Sequence, residues 1–349
     1  MNKTKKALGQ FYTSNYKKIF SGLTIPSSVK KIIEPFVGSG HLLGFLGDQN
    51  FTGQVEVYDI DPQIENATKQ DTLLNPPNYK DAYILTNPPF LARNKNSNKI
   101  IYDKYATNDL YKCFLKSLYY YGDEYLPIGG IIILPLNFFS SVRKCDADIR
   151  NLFFSHFSIQ KLNIFEEQVF SDTSCTICSL QFEKCTNMIR QEIKTDIFSS
   201  SGKISKVFII EKKYKWMIGG EIYYLPQNKA IKISRLIEGD IITDNTTKIK
   251  LISLDDGRKN GSRICLQIDE NLYFGKSSSR TYATLVIDPI ISIDEQKMLV
   301  NRFNAFVEEK RLIYHSLFLS NYRESKDYSR KRISFTLTFK ILNFLITHF

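Results

Sequence analysis

The tetrapeptide Asn87-Pro88-Pro89-Phe90 is the segment whose residue types point most directly to chemistry. An amino group conjugated to an aromatic ring is a poor nucleophile, because its lone pair is delocalised into the ring. The Asn87 side-chain carbonyl and the Pro88 backbone carbonyl could accept both amine hydrogens and so localise that lone pair. The two prolines restrict φ and would hold these acceptors in place. Phe90 could stack on the ring that carries the amine.

A second candidate site combines a glycine-containing turn with an acidic residue. Residues 34–40 read Glu-Pro-Phe-Val-Gly-Ser-Gly, and Gly38 and Gly40 would let a ligand approach the backbone closely. Asp59 ends the next predicted strand, where its carboxylate could accept hydrogen bonds from both hydroxyls of a ribose. The sequence contains no G-x-G-x-x-G and no P-loop lysine. We therefore expect a nucleoside cofactor without a phosphate, a description that S-adenosylmethionine fits.

The elements that must position these residues follow from short apolar runs in the first half of the chain. Each candidate residue from Glu34 to Phe90 comes just after a predicted strand, which is where open α/β sheets bind ligands. The fold class we predict is a doubly wound, mostly parallel α/β sheet of Rossmann-like type. Strands are expected at 29–33, 55–58, 82–85, 131–134 and 176–182, with helices at 41–46 and 109–121.

The second half of the chain is predicted to be a separate, basic α+β domain. The sequence becomes polar around 184–201 and then reads Ser199-Ser200-Ser201-Gly202, so we place the boundary between domains 1–185 and 186–349. Strands are expected near 204–210, 221–225 and 281–287, and helices near 294–313 and 335–347.

The net charge of +11 favours a polyanionic partner, and the charge is concentrated in this second domain. Residues 1–185 carry 20 Lys and Arg against 18 Asp and Glu, a net charge of +2. Residues 186–349 carry 27 against 18, a net charge of +9. The second domain is therefore the part we expect to meet phosphates.

The cysteines and the apolar segments suggest neither a metal site nor a membrane anchor. Cys175 and Cys178 have the spacing of half a zinc site, but the sequence has no second such pair, and we expect structural, reduced cysteines. The sequence has no apolar run long enough for a membrane span and no evident signal peptide. A cytoplasmic protein, or one inside a host cell if the source is viral, is expected.

The order of the motifs resembles that of S-adenosylmethionine-dependent DNA adenine-N6 methyltransferases of the gamma motif order. The resemblance covers residues 7–183: an N-terminal Gly-Gln-Phe-Tyr-Thr at 9–13, the glycine turn, the acidic residues and the tetrapeptide occur in the same order. It implies a Rossmann-like methyltransferase fold, S-adenosylmethionine as the cofactor and a C-terminal target-recognition domain. The resemblance also implies a set of cofactor-binding residues, from the methionine end to the adenine end: Phe11, Tyr12, Thr13, Glu34, Phe36, Gly38, Gly40, Asp59, Ile60 and Asp71.

Within that set the resemblance implies individual roles. Thr13 would bind the methionine carboxylate, Glu34 the methionine ammonium and Asp59 the ribose. Ile60 would pack on the cofactor's adenine, and Asp71 would accept a hydrogen bond from its N6 amine. Phe11 and Tyr12 would form the walls of the site.

Two other segments have competing interpretations. Asn75-Pro76-Pro77-Asn78 also contains Asn-Pro-Pro, but it follows a polar stretch and lacks the aromatic fourth residue, so we predict a surface turn. Asp109-Leu110-Tyr111 resembles a family element that supports the cofactor pocket, although Asp109 could equally cap the following helix.

The candidate DNA contacts are basic residues on both sides of the predicted boundary. Residues 91–99 form either a plain surface loop or a loop that closes over DNA, with Arg93 and Lys95 at the phosphates. Near the C-terminus a basic and aromatic stretch suits phosphate or base contacts. The candidates there are Arg323, Lys326, Arg330, Lys331 and Arg332.

The function predicted on these grounds is site-specific methylation of adenine N6 in double-stranded DNA, with the base flipped out of the helix. A monomer or weak dimer is expected, and a cognate restriction endonuclease acting on the same site is a candidate partner. The same acceptors would serve cytosine N4, so only the resemblance favours adenine. Alternatives are methylation of RNA or of protein glutamine, or a catalytically silent DNA-binding protein on the same scaffold.

Overall fold

The structure is a computed structural model, and its residues fall into two compact units. It describes residue 13 and residues 15–170, 176–243, 246–252, 264–276, 278, 283–322 and 330–348. The first unit consists of Met1–Phe138, Val142–Trp216 and Ser325–Asp327. The second unit consists of Phe139–Ser141, Met217–Glu324 and Tyr328–Phe349.

The first unit contains a nine-stranded sheet with the order β3-β2-β1-β4-β5-β7-β6-β8-β9. Five neighbouring pairs run parallel and three, β5–β7, β6–β7 and β8–β9, run antiparallel. This confirms the predicted, mostly parallel α/β sheet. The strands are β1 (Lys31–Glu34), β2 (Gln54–Asp59), β3 (Thr68–Lys69), β4 (Tyr83–Thr86), β5 (Gly129–Pro135), β6 (Phe157–Phe165), β7 (Ile177–Lys184), β8 (Arg190–Ser199) and β9 (Gly202–Glu211).

The order of the strands determines where a ligand can bind. β1 lies between β2 and β4, so the chain passes to one side of β1 after it and later returns to the other side. Loops that leave the carboxyl ends of such strands diverge, and the crevice between them is the usual ligand site of open α/β sheets. The apolar residues Ile32, Ile33, Ile84 and Leu85 are fully buried and form the rigid floor beneath that crevice.

The helices accompanying this sheet are short. Leu110–Ser117 is an amphipathic helix, and seven of its eight residues are buried, among them Phe114 and Leu115. That helix ends earlier than predicted, because a turn follows that leads to Gly122 with a φ of 100°. The helices are α1 (Tyr16–Ile19), α2 (Leu43–Asp48), α3 (Ile100–Lys104), α4 (Leu110–Ser117), α5 (Asn137–Ser140) and α6 (Lys144–Phe154).

The division between the units falls later than the predicted boundary at residue 185. β8 and β9 form an antiparallel hairpin in which Ser199 pairs with Gly202, so the supposed flexible break is a tight turn. β8 also pairs in parallel with β6 and thereby extends the first sheet. The first unit therefore continues to Trp216, whose indole stacks on Phe154 at a centroid distance of 4.9 Å.

The second unit is α+β, as predicted. Its four-stranded sheet has the order β10-β13-β11-β12 and is antiparallel, and β14 and β15 form a separate antiparallel pair. Buried side chains of the sheet and of two helices, such as Leu285, Phe303 and Ile341, form one apolar core. The elements are β10 (Lys232–Arg235), β11 (Ile249–Ile252), β12 (Cys265–Ile268), β13 (Ala283–Asp288), α7 (Ile293–Tyr314), β14 (Ser320–Tyr322), β15 (Arg330–Arg332) and α8 (Phe335–Thr347).

One predicted strand of this unit is wrong. Residues 221–225 were expected to be extended, but Gly220–Tyr224 is a 3-10 helix. It follows Gly219, whose φ of 66° turns the chain sharply, and Gly220 and Ile222 are its buried residues. The apolar run Ile222 to Leu225 therefore marks a tight turn packed on the core and not a strand.

The described residues contain neither a membrane-spanning helix nor a cluster of metal ligands. None of their helices combines the length and apolarity needed to cross a bilayer. Within the same part of the chain, no three His, Cys, Asp or Glu residues are grouped so that they could hold a metal ion. Cys178 is buried in β7, and Cys175 lies outside the described residues.

Candidate active site

A pocket in the first unit lies at the carboxyl ends of β1, β2, β3 and β4. Both halves of the predicted site contribute to it, because Gly38, Asp59 and Asp71 line it together with Asn87 and Pro89. Its lining residues are Thr13, Phe36, Val37, Gly38, Ser39, His41, Leu42, Asp59, Ile60, Gln70, Asp71, Thr72, Leu73, Asn87, Pro89, Asn96, Asn98, Ile101 and Leu110. Phe11 and Tyr12 lie outside the described residues.

Glu34, the last residue of β1, is completely buried, and only one of its two carboxyl oxygens accepts hydrogen bonds from described residues. Thr86 Oγ1 donates to its Oε1 at 2.6 Å, and the Phe36 amide donates to the same atom at 3.1 Å. Its Oε2 is buried and has no hydrogen-bond partner among the described residues. Burial raises the pKa of Glu34 to about 8 although both hydrogen bonds lower it, and nearby Asp59 raises it further. A cation brought to Oε2 would satisfy this atom.

Asp59, the last residue of β2, organises the glycine turn. Its Oδ2 accepts a hydrogen bond from the Gly38 amide at 2.8 Å, and its Oδ1 accepts one from the Asp61 amide at 2.9 Å. Gly38 has a φ of 52° and Gly40 a φ of 76°, a region that favours glycine. The turn therefore depends on these two glycines and on a carboxylate from the neighbouring strand.

Apolar and acidic side chains both contribute to the pocket lining. Ile60 is 43% exposed although it is a large apolar residue, and it lines the pocket. Asp71 Oδ1 accepts hydrogen bonds from the Leu73 and Leu74 amides at 3.0 and 3.2 Å. Phe36 packs edge-on against Phe114 of α4 at a centroid distance of 5.3 Å, which supports the pocket from behind.

Asn87 comes directly after β4, and its carboxamide forms a hydrogen bond with Thr13, a residue near the N-terminus. Its Nδ2 donates to Thr13 Oγ1 at 3.0 Å. Because the amide nitrogen and oxygen point in different directions, this hydrogen bond also fixes the direction of Oδ1. Thr13 is buried, and it lines the same pocket as Asn87, Gly38 and Asp59.

The remaining residues of the tetrapeptide are packed more deeply. Pro88 is buried, whereas Pro89 is half-buried and lines the pocket. Phe90 is 9% exposed and packs edge-on against Tyr111, with centroids 6.3 Å apart and an interplanar angle of 84°. The ring is thus held in one orientation by α4.

The upstream Asn-Pro-Pro segment forms a turn that follows the pocket residues Gln70 and Asp71. Asn75 is exposed, and its amide donates to the Asp71 carbonyl at 2.9 Å. The Pro76 carbonyl accepts a hydrogen bond from the Tyr121 hydroxyl at 3.1 Å. Asn75 does not line the pocket, in agreement with the predicted surface turn.

Residues 91–99 are fixed by several hydrogen bonds. The Arg93 amide donates to the Asn108 carbonyl at 2.9 Å, and Asn96 Nδ2 donates to the Tyr102 hydroxyl at 3.2 Å. Arg93, expected at a phosphate, forms an ion pair with Asp103 at 2.7 Å, while Lys95 is exposed. Two residues of this segment, Asn96 and Asn98, line the pocket.

The basic C-terminal stretch is only partly described, and one of its residues requires a correction. Lys331 was expected at DNA, but it is 3% exposed and its ammonium donates to the His315 carbonyl at 3.1 Å. Pairing of β15 with β14 directs this side chain inward, away from any phosphate. Arg332 is half-buried. Arg323, Lys326 and the side chain of Arg330 lie outside the described residues.

Sequence reasoning did not single out several residues that shape the pocket. Thr86 orients Glu34, and the buried Thr72 hydroxyl donates to the Pro35 carbonyl at 2.9 Å. Asn96 and Asn98 also line the pocket. A polar residue that ends an otherwise apolar strand, as Thr86 does, is the signal that could have identified the first of these.

Comparison with known proteins gives fold-level similarity only. No protein-family model matches the chain, and no curated protein matches it. A modification subunit of a putative type I restriction enzyme from Vibrio vulnificus has a TM-score of 0.43 at 14% identity, over 55% of this chain and 47% of that one. The methyltransferase subunit of a type I restriction-modification system from Streptococcus thermophilus has a TM-score of 0.41 at 15% identity, over 61% and 59%.

A putative class I S-adenosylmethionine-dependent methyltransferase from Listeria monocytogenes has a TM-score of 0.38 at 12% identity, over 53% of this chain and 62% of that one. The chain thus spans less than two thirds of the length of each of these three proteins. At these TM-scores and identities, the similarity by itself assigns no function.

Proposed function

We propose that this protein is an S-adenosylmethionine-dependent DNA methyltransferase that modifies adenine N6 in double-stranded DNA. The observation that carries the proposal is that one pocket is lined both by residues predicted to bind a nucleoside cofactor, among them Gly38, Asp59 and Asp71, and by Asn87 and Pro89 of the tetrapeptide. A methyl donor and a conjugated amine would therefore meet in the same space.

The residues of the pocket fit this cofactor. Next to the pocket residue Phe36, whose amide donates to Glu34 Oε1, the buried carboxyl oxygen Glu34 Oε2 has no hydrogen-bond partner among the described residues, which suits the methionine ammonium. The turn at Gly38 and the Asp59 carboxylate suit the ribose, and exposed Ile60 beside Asp71 suits the adenine. When bound, S-adenosylmethionine supplies a methyl group activated by its sulfonium.

Asn87 and Pro88 would activate the target amine by accepting its two hydrogen bonds. Preorganised acceptors stabilise the charge that develops on the nitrogen without reorganisation during the reaction. Thr13 contributes by fixing the Asn87 carboxamide, and β4 contributes by ending at a rigid, buried Thr86. Phe90 would stack on the target base after it leaves the double helix.

Double-stranded DNA is the proposed substrate, because the second half of the chain carries most of the positive charge. In this proposal the second unit serves target recognition, and Lys95 and the basic residues 323–332 other than Lys331 contact the DNA. A restriction endonuclease acting on the same site is the partner against which such methylation would protect.

Single-molecule sequencing of genomic DNA from cells that express the protein tests the proposal. We expect N6-methyladenine in one sequence context, absent from cells that express the Asn87→Ala variant. N4-methylcytosine in its place would correct the base but keep the enzyme class. No modified base in cells that accumulate folded protein would contradict the proposal.

A further inference from the structure

A buried ion pair is linked to the tetrapeptide through Tyr111, which contacts both Asp146 and Phe90. Lys112 of α4 is 4% exposed, and its ammonium contacts the Asp146 carboxylate of α6, which is 5% exposed. Burying a charge is costly unless it is paired, and even a paired buried charge often stabilises a fold less than apolar residues would. This pair therefore calls for a role other than stability.

The ion pair is connected to the tetrapeptide by two routes. Along the first, the Tyr111 hydroxyl donates to Asp146 Oδ1 at 3.4 Å, a long hydrogen bond, and the Tyr111 ring packs edge-on against Phe90. Along the second, Lys112 Nζ donates to Asn108 Oδ1 at 2.9 Å, and the Asn108 carbonyl accepts the amide hydrogen of Arg93 at 2.9 Å.

Further contacts join the same two segments. The Leu110 amide donates to the Leu91 carbonyl at 3.2 Å, and Ala92 forms an isolated antiparallel bridge with Asp109. The residues that immediately follow Phe90 are thus held against the start of α4. The ion pair in turn ties the start of α4 to α6.

We propose that Lys112 and Asp146 are positioning residues for the tetrapeptide, holding Phe90 in the orientation that receives the target base. The inference rests on the proposed function, because only a flipped base needs such an orientation. The two residues would affect kcat through Tyr111 and residues 91–93, without contacting the cofactor.

The test compares matched variants in methyl transfer from tritiated S-adenosylmethionine to unmethylated plasmid DNA. Lys112→Met is matched by Lys116→Met on the same helix, whose ammonium donates instead to the Tyr105 carbonyl at 2.6 Å. We expect Lys112→Met to lower kcat about tenfold or more, because small misplacements of reacting groups are costly. Calorimetric Kd for S-adenosylmethionine should change less than about twofold, and Lys116→Met should leave both unchanged.

A second pair of variants covers the case in which Lys112→Met does not fold. Tyr111→Phe keeps the ring but removes the hydroxyl that contacts Asp146, and Tyr119→Phe removes a hydroxyl that donates to the Leu152 carbonyl at 2.7 Å. We expect a lower kcat for Tyr111→Phe alone, with the same thermal midpoint and cofactor Kd as wild type. Equal kcat values within each folded pair would overturn the inference, whereas a wild-type protein inactive on DNA would overturn the proposed function itself.

Discussion

Among single residues, Asn75 of the upstream Asn-Pro-Pro segment provides a control for Asn87 of the tetrapeptide. Replacing Asn87 with Ala removes an acceptor from the pocket and the hydrogen bond to Thr13. We expect this change to lower kcat by about 100-fold or more, since loss of one preorganised polar group has that effect in other enzymes.

Asn75→Ala is the matched change, because the Asn75 side chain is exposed and does not line the pocket. We expect it to retain wild-type activity in transfer of tritiated methyl groups to DNA. Activity lost in Asn75→Ala and kept in Asn87→Ala would reverse the assignment of the catalytic segment.

The Glu34 carboxyl provides a pH-dependent prediction. Burial raises its pKa to about 8, with hydrogen bonds from Thr86 and Phe36 working against that shift, so at pH 6.5 the carboxyl is protonated without cofactor. An ammonium bound at Oε2 would favour the carboxylate and lower the pKa, and the proton would be released. Calorimetric binding enthalpies measured at pH 6.5 in phosphate and in imidazole, two buffers with different ionisation enthalpies, should therefore differ.

The Glu34→Gln variant serves as the control for this titration. Its binding should be weaker and its enthalpy should depend less on the buffer, because the amide has no proton to release. The same linkage affects stability: the raised pKa favours the folded state below pH 4.5, and this contribution is lost as the pH rises through 8. Equal wild-type enthalpies in both buffers would show that Glu34 does not titrate on binding.

At the scale of elements, the start of α7 illustrates a local contribution to stability. Ser292 Oγ accepts the Glu295 amide hydrogen at 3.3 Å, and Glu295 Oε2 accepts the Ser292 amide hydrogen at 2.6 Å. Ser292→Ala removes half of this capping box and should cost about 1 kcal/mol in free energy of unfolding. Urea denaturation followed by circular dichroism measures the loss.

An exposed ion pair on the same helix gives the contrasting case. Lys297 and Asp294 are 3.2 Å apart with side chains 60% and 87% exposed, so Lys297→Ala should change stability by less than about 0.5 kcal/mol. A larger loss for Lys297→Ala than for Ser292→Ala would mean that the capping box does not govern the stability of this helix start.

The elements also show how far the sequence determined the fold and the site. The ends of β1, β2 and β4 were predictable, because in each case a short apolar run is followed by a polar residue. These polar residues are Glu34, Asp59 and Asn87. The β8–β9 hairpin was not predicted, because its serine-rich turn has the composition of a linker. The inward direction of Lys331 depends on pairing between β14 and β15, which no local pattern encodes.

At the scale of the whole molecule, the charge of +11 predicts how DNA binding responds to salt. Each phosphate contact releases counterions, so the logarithm of the affinity should fall linearly with the logarithm of the salt concentration. Lys95→Ala should reduce the slope by about 1, because Lys95 is an exposed cation beside the pocket wall. Fluorescence anisotropy with labelled duplex DNA measures this slope.

Lys116→Ala is the control for the salt dependence. The Lys116 ammonium is half-buried and donates to the Tyr105 and Ala106 carbonyls, so its removal should leave the slope unchanged. A wild-type affinity that does not depend on salt would contradict the assignment of phosphate contacts to this protein.

In the proposed function, one pocket brings a methyl donor and a DNA base together. The most direct measurement incubates purified protein with tritiated S-adenosylmethionine and, separately, duplex DNA, RNA and a protein extract. We expect label to enter duplex DNA, digestion to recover it in N6-methyladenine, and Asn87→Ala to reduce transfer by about 100-fold or more. Label in RNA or protein with none in duplex DNA would contradict it.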